Sequence, residues 1–123
     1  MNNKPTVLIV DDNLDLAEAT RYFLEIKRFR AFISDGRNLD ELIEEHKPDI
    51  IILDISLGQL DGRELCKGLK RNEKTKSIPV IMLSAHEKLS KAYDDNCADG
   101  YIMKPFALAE LLGEIQLLIK MPE

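Results

Sequence analysis

Five residues carry side chains that could act together on a phosphoryl or similar anionic group: Asp11, Asp12, Asp54, Ser84 and Lys104. Each follows a short apolar run. Asp11-Asp12 follow Val7-Leu8-Ile9-Val10, Asp54 follows Ile50-Ile51-Ile52-Leu53, Ser84 follows Val80-Ile81-Met82-Leu83, and Lys104 follows Tyr101-Ile102-Met103. Carboxylates brought close together repel, so this set calls for a cation or a raised pKa. Carboxylate and carbonyl oxygens are hard donors of the kind Mg²⁺ takes, together with water and a phosphate oxygen. A lysine is a point charge for phosphate or carboxylate oxygens. Nucleophilic acid, metal site, hydroxyl and lysine are the parts that phosphoryl transfer to a carboxylate needs.

Each residue alone has a plainer reading. Asp11 or Asp12 could cap a following helix, Asp54 could sit in a turn, Ser84 could open a helix, and Lys104 could be solvated. What favours chemistry is that the acids, the hydroxyl and the lysine fall together at the ends of apolar runs. Asp61 and Asp99 read as cap and turn residues, and Tyr101 on composition alone as core. His46 and His86 have no metal-ligand spacing. Cys66 and Cys97 suit neither a disulfide framework nor a zinc site and read as packing residues.

The elements that must position these residues follow from periodicity. Continuous apolar tetrads are expected of strands covered on both faces. Strands are placed at about 6–10, 30–34, 49–54, 78–83 and 100–103. Between them, Leu16, Ala19, Phe23 and Ile26 share one helical face. Asn38 with Glu41 looks like a capping box for a helix burying Leu39, Leu42 and Ile43. Asp61 caps a third helix with Leu65 and Leu69 inward. A weaker helix runs from about Lys88 to Asn96 through Leu89, Ala92 and Tyr93. Leu108, Leu111, Leu112, Ile115, Leu118 and Ile119 mark the last. Strict alternation implies an α/β fold, a (βα)5 doubly wound sandwich with a five-stranded parallel sheet. Right-handed crossovers and the apolar character of strands 1, 3 and 4 favour the order 2-1-3-4-5. Ligands then bind beyond the carboxyl ends of strands 1 and 3, where the winding reverses. That crevice receives Asp11, Asp12 and Asp54.

Composition narrows the class. The chain has 123 residues, 45% hydrophobic and 32% charged, with a net charge of −5. That is the profile of one folded domain, here spanning 1–123, and not of a disordered chain. Mild acidity argues against a dedicated nucleic-acid surface. No apolar run approaches a membrane span, and no apolar segment follows Met1-Asn2-Asn3-Lys4-Pro5 as a secretion signal would. A cytoplasmic location is expected.

The ordered set Val7-Leu8-Ile9-Val10-Asp11-Asp12, Ile51-Ile52-Leu53-Asp54, Asp61-Gly62, Ser84-Ala85 and Tyr101-Ile102-Met103-Lys104-Pro105-Phe106 resembles the receiver domains of two-component response regulators. The resemblance covers essentially the whole chain, is of the chemotaxis-regulator kind, and implies a flavodoxin-like fold. It implies that Asp54 is the phosphoacceptor and that Asp11, Asp12 and Asp54 bind Mg²⁺, or Mn²⁺ in its place, with the main-chain carbonyl of Ser56. It makes Ser84 the switch hydroxyl, Tyr101 the switch aromatic and Lys104 the phosphate-pairing lysine. It implies a cis Lys104-Pro105 bond. The implied partners are a histidine kinase or histidine phosphotransfer protein, an effector of unstated kind, and a second copy in a phosphorylation-dependent homodimer. Neither nucleic acid nor membrane is an expected partner of this domain, which is not expected to be a conventional turnover enzyme.

Three departures from the family pattern stand out. Gly58 replaces a proline common four residues after the acceptor, so a more flexible loop is expected there. The span from Ser84 to Lys104 is shorter than usual, which implies a short or irregular helix 4, with Asn96 a candidate left-handed cap. Ser56 and His86 occupy positions that tune dephosphorylation: small Ser56 leaves room for water, while His86 either shields or orients it. Competing readings are a receiver-like binding module that works without phosphorylation, a small aspartate-nucleophile phosphatase, and a flavodoxin-like electron carrier. The phosphatase lacks its second acid, since Ser56 stands there. Asp11-Asp12-Asn13 would repel a flavin phosphate.

Overall fold

The structure, a computed structural model, describes residues 4–85 and 97–119. Five strands, β1 (Thr6–Val10), β2 (Arg30–Ser34), β3 (Ile50–Asp54), β6 (Val80–Ala85) and β7 (Gly100–Lys104), form a parallel sheet in the order β2-β1-β3-β6-β7. That is the expected 2-1-3-4-5 arrangement. Four helices lie among the described residues: α1 (Leu14–Ile26), α2 (Leu39–His46), α3 (Gly62–Arg71) and α4 (Leu108–Ile119). The expected helix near 88–96 falls outside the described residues.

Alternation along each strand explains why the tetrads are continuously apolar. Val7, Ile9, Ile50, Ile52, Ile81 and Leu83 face a core shared with α1 and α4. Their neighbours Leu8, Val10, Ile51, Leu53, Val80 and Met82 face a second core shared with α2 and α3. A strand buried on both sides has no polar face to alternate with.

The structure corrects several local expectations. The strand placed at 78–83 runs instead over Val80–Ala85. Pro79 has no N–H to give, although its carbonyl accepts from Ile51 N at 3.0 Å, so two-sided pairing starts one residue later. Helix α1 buries Ala17, Thr20 and Leu24, while Ala19 and Ile26 are exposed. Small Ala17 and Thr20 allow close approach to the sheet, and the Thr20 hydroxyl is satisfied by Leu16 O at 2.8 Å. Asn38 does open α2, but its side chain makes no cap bond to the helix. Its Oδ1 accepts from Ser34 Oγ at 2.8 Å instead, so the capping box does not form.

One element was not expected. After Asp54 the chain makes a small antiparallel hairpin, β4 (Ser56–Leu57) with β5 (Leu60–Asp61). Gly58 takes φ +63° in its two-residue turn. A primed hairpin turn needs that left-handed conformation, which glycine supplies without strain. Leu60 and Leu57 anchor the hairpin on Gly36, where a Cβ would meet their Cδ1 atoms at 3.0 and 3.4 Å. Among the described residues no helix is long and apolar enough to cross a membrane.

Candidate functional site

The carboxyl ends of β1, β3 and β7 bring the charged residues together. Asp11 follows β1 and is buried, with Oδ1 accepting from Asn13 N at 2.9 Å. Asn13, and neither aspartate, caps α1 by accepting from Leu16 N at 3.2 Å. Both acids are therefore free of the capping role that either could have filled, and Asp12 stands exposed beside Asp11.

Asp54 ends β3 and is also buried. Its Oδ1 accepts from Ser56 N at 3.1 Å, and its Oδ2 accepts from Lys104 Nζ at 2.7 Å. Lys104 ends β7, and its Nζ lies 3.6 Å from Asp11 Oδ2. One carboxylate oxygen each from Asp11, Asp12 and Asp54 falls within a 4.8 Å cluster. The Lys104-Pro105 bond is cis.

The electrostatics follow from crowding. Burial pushes the Asp11 carboxyl up to about 6, and the Asp54 charge adds to this against the opposing Asn13 hydrogen bond and Lys104. Burial works against the Lys104 charge, yet its bond to Asp54 and the nearby Asp11 hold the ammonium above its ordinary value. Lys104 is the one cation paired with these acids among the described salt bridges. The cluster thus carries more negative charge than it neutralises, and its hard oxygens fit a divalent cation such as Mg²⁺.

The remaining expected residues are placed as follows. Ser84 is buried near the end of β6, and its hydroxyl donates to Ala85 O at 3.0 Å rather than to Asp54. The Ser56 side chain is exposed while its amide holds Asp54. Tyr101 lies in β7, half-buried against the α2/α3 core, and its hydroxyl accepts from Ala98 N at 3.2 Å. His86 falls outside the described residues. Asp61 caps α3 through Arg63 N at 2.9 Å and pairs with the Arg63 guanidinium, which holds its carboxyl below the usual range.

Gly62 is a contributor that periodicity could not reveal. A Cβ there would stand 2.1 Å from Asp54 O, so α3 can begin against the acceptor strand only with glycine. Its amide donates to Ile55 O at 2.7 Å. Gly58 lies beside the site, where a Cβ would make only an ordinary contact, 3.5 Å, with Asp12 Oδ2.

Comparison with known proteins agrees with this geometry. Residues 7–116 match the response regulator receiver domain family. The chain is 38% identical over 119 residues to the heme response regulator HssR of Staphylococcus saprophyticus, covering 94% of this chain and 51% of that protein. It is 34% identical over 117 residues to the response regulator MprA of Mycolicibacterium vanbaalenii, covering 93% of this chain and 50% of that one. The chain thus spans about half the length of these curated relatives. Among solved structures, a putative response regulator from Chloroflexus aurantiacus superposes with TM-score 0.87 at 28% identity, covering 97% of this chain and all of that one. The signal receiver domain of a histidine kinase from Syntrophus aciditrophicus superposes with TM-score 0.85 at 28% identity, covering 94% and 90%. With the acid cluster and its lysine at the strand ends, the match over residues 7–116 shows that this chain belongs to the response regulator receiver domain family.

Proposed function

We propose that this chain, acting as one receiver unit in the cytoplasm, accepts a phosphoryl group on Asp54 from a phosphohistidine. The donor is a histidine kinase or histidine phosphotransfer protein. Receiver domains are signalling switches that interact with histidine kinases and bind Mg²⁺ at an acidic pocket; they are not conventional turnover enzymes. Family membership therefore sets aside the phosphatase and electron-carrier readings. The observation that carries the assignment to Asp54 is its contact with Lys104 at 2.7 Å inside the cluster of Asp11, Asp12 and Asp54.

In the transfer, an Asp54 oxygen forms the new bond to phosphorus while the nitrogen–phosphorus bond of the phosphohistidine breaks, leaving the imidazole on the donor. A Mg²⁺ or Mn²⁺ ion held by Asp11, Asp12, Asp54 and the main-chain carbonyl of Ser56 would neutralise charge on the phosphoryl oxygens. Lys104 moves its hydrogen bond from the Asp54 carboxylate to a phosphoryl oxygen. The Ser84 hydroxyl leaves Ala85 O and donates to another, drawing the end of β6 inward. Tyr101 gives up its bond to Ala98 N as the space beside it changes. The surface of β7 and α4 is then presented differently to an effector or a second copy of the chain. Phosphorylation shifts this equilibrium only by as much as the phosphoryl group binds one packing better than the other.

The test is incubation with acetyl phosphate and Mg²⁺. One hydroxylamine-labile group of about 80 Da is expected on the chain. Asp54→Asn should show no gain, and an unchanged gain in that variant would refute the assignment.

A further inference from the structure

Two thiols meet on the α2/α3 side of the sheet, outside the acid site. Cys66, in α3, is fully buried, and Cys97 is half-buried shortly before β7. The Cys97 side chain lies close enough to Cys66 to act on its thiol. Both belong to the same apolar cluster as Leu69, Val80 and Met82.

The segments that carry them are already joined. Lys70 Nζ, one turn beyond Cys66, donates to Asp99 Oδ2 at 2.8 Å and to Ile78 O at 2.9 Å. Asp99 exchanges hydrogen bonds with Val80 through its own amide and its side chain, each at 2.8 Å. The two segments that carry these thiols are thus already fixed to each other, and little further ordering is needed to link them.

We propose that Cys66 and Cys97 form a reversible disulfide, a redox modification site whose oxidant is a hydroperoxide. Cys97 is the thiol that solvent reaches, so it reacts first. Its thiolate attacks one peroxide oxygen, the oxygen–oxygen bond breaks, and water leaves after protonation, giving a sulfenic acid. The Cys66 sulfur then attacks the Cys97 sulfur. A sulfur–sulfur bond forms, the sulfur–oxygen bond breaks, and the Cys66 proton leaves with that oxygen as water. Two thiols and one hydrogen peroxide become one disulfide and two waters: each cysteine gives one electron and the peroxide takes two. Burial, with Cys97 close by, pushes the Cys66 thiol up, which suits a resolving partner that stays inert until its neighbour is oxidised. Reduction by a dithiol reverses the step.

The link ties α3 to the segment whose Ala98 amide holds the Tyr101 hydroxyl. An oxidised chain therefore keeps that segment fixed while the acid site stays chemically intact.

The experiment treats the whole chain with stoichiometric hydrogen peroxide at neutral pH. Loss of both thiols to maleimide labelling under denaturing conditions is expected, with an intact mass about 2 Da lower and reversal by dithiothreitol. A non-reducing digest should join the peptides that contain Cys66 and Cys97. Cys97→Ser should leave Cys66 as a free thiol under the same treatment, and it avoids altering the buried position. Thiols that remain free, a monomer that stops at Cys97 sulfinic acid, or linkage only between chains would each overturn the proposal.

Discussion

Gly62 lies so close to Asp54 that a Cβ on the glycine would stand 2.1 Å from the aspartate carbonyl oxygen and 2.8 Å from the Cα of Ile55. Those atoms are backbone, so they cannot swing away as a side-chain tip would. The start of α3 is thereby pressed onto the strand end that presents the acceptor carboxylate.

Gly62→Ala should accordingly destabilise the fold by about 2–3 kcal/mol, in the range of an overpacked interior site. The Asp54 backbone must shift to admit the methyl group, so labelling by acetyl phosphate should slow as well. Urea unfolding with parallel labelling kinetics measures both. Gly68 makes a matched control, since a Cβ there meets nothing within 4 Å. Alanine at that exposed helical position should be neutral or mildly stabilising.

The hairpin turn gives a second outcome. Gly58 has φ +63° there. Proline is held near −65°, so Gly58→Pro must break the turn and is expected to cost about 2 kcal/mol or more. Gly58→Ala should cost about 1 kcal/mol for the left-handed backbone alone. Thermal denaturation of the two variants checks the order, and a stabilised proline variant would contradict the hairpin.

These cases show where a sequence is readable and where it is not. The tetrads at Val7, Ile50 and Val80 were legible because a strand buried on both faces needs an unbroken apolar run. The acids and Lys104 were legible because each directly follows such a run. The α1 face was misjudged because large side chains outweigh Ala17 and Thr20 in any hydrophobic pattern, whereas close packing favours the small ones. The hairpin was missed because strands of two residues have no period to detect. The Gly62 contact was missed because a clash with a carbonyl distant in space leaves no trace in local composition. Nor could the sequence tell which residue caps α1, since Asp11, Asp12 and Asn13 are all suitable and only the geometry selects Asn13.

Lys104→Met keeps most of the aliphatic stem and removes the charge that pairs with Asp54 and Asp11. Both acids are buried, and breaking a buried pair by removing one partner leaves charge uncompensated. The lysine retains some solvent contact, so the loss at neutral pH in EDTA is expected to be on the order of 2 kcal/mol, below the figure for a fully buried pair. Saturating Mg²⁺ should recover much of it, because a divalent ion neutralises the same carboxylates. Urea titrations with EDTA and with Mg²⁺ give the comparison. Equal losses under both conditions would mean that the lysine acts through packing alone.

Asp11 ties the site to pH. Its carboxyl ordinarily titrates at 3.8 but is raised to about 6 in the folded chain without metal, chiefly by burial and then by the neighbouring Asp54 charge. Between those values the folded state binds more protons at this position than the unfolded state does, so stability contributed here falls as pH rises through the window. The accumulated penalty above pH 6 is on the order of 3 kcal/mol. Asp61, whose carboxyl is lowered by Arg63, pulls in the opposite direction, so only the difference between parent and variant isolates Asp11. Asp11→Asn cannot ionise and should be more stable than the parent at pH 7.5 in EDTA, with the gap closing towards pH 4. Mg²⁺ needs the ionised carboxylate, so its stabilising effect on the parent should grow as pH rises past 6 and be much weaker in the variant. Chemical denaturation at several pH values, with and without Mg²⁺, measures each sign. A variant less stable than the parent at pH 7.5 in EDTA would show that Asp11 is paid back in full by Lys104 and the Asn13 amide, and that the cluster carries no excess charge for a cation to relieve.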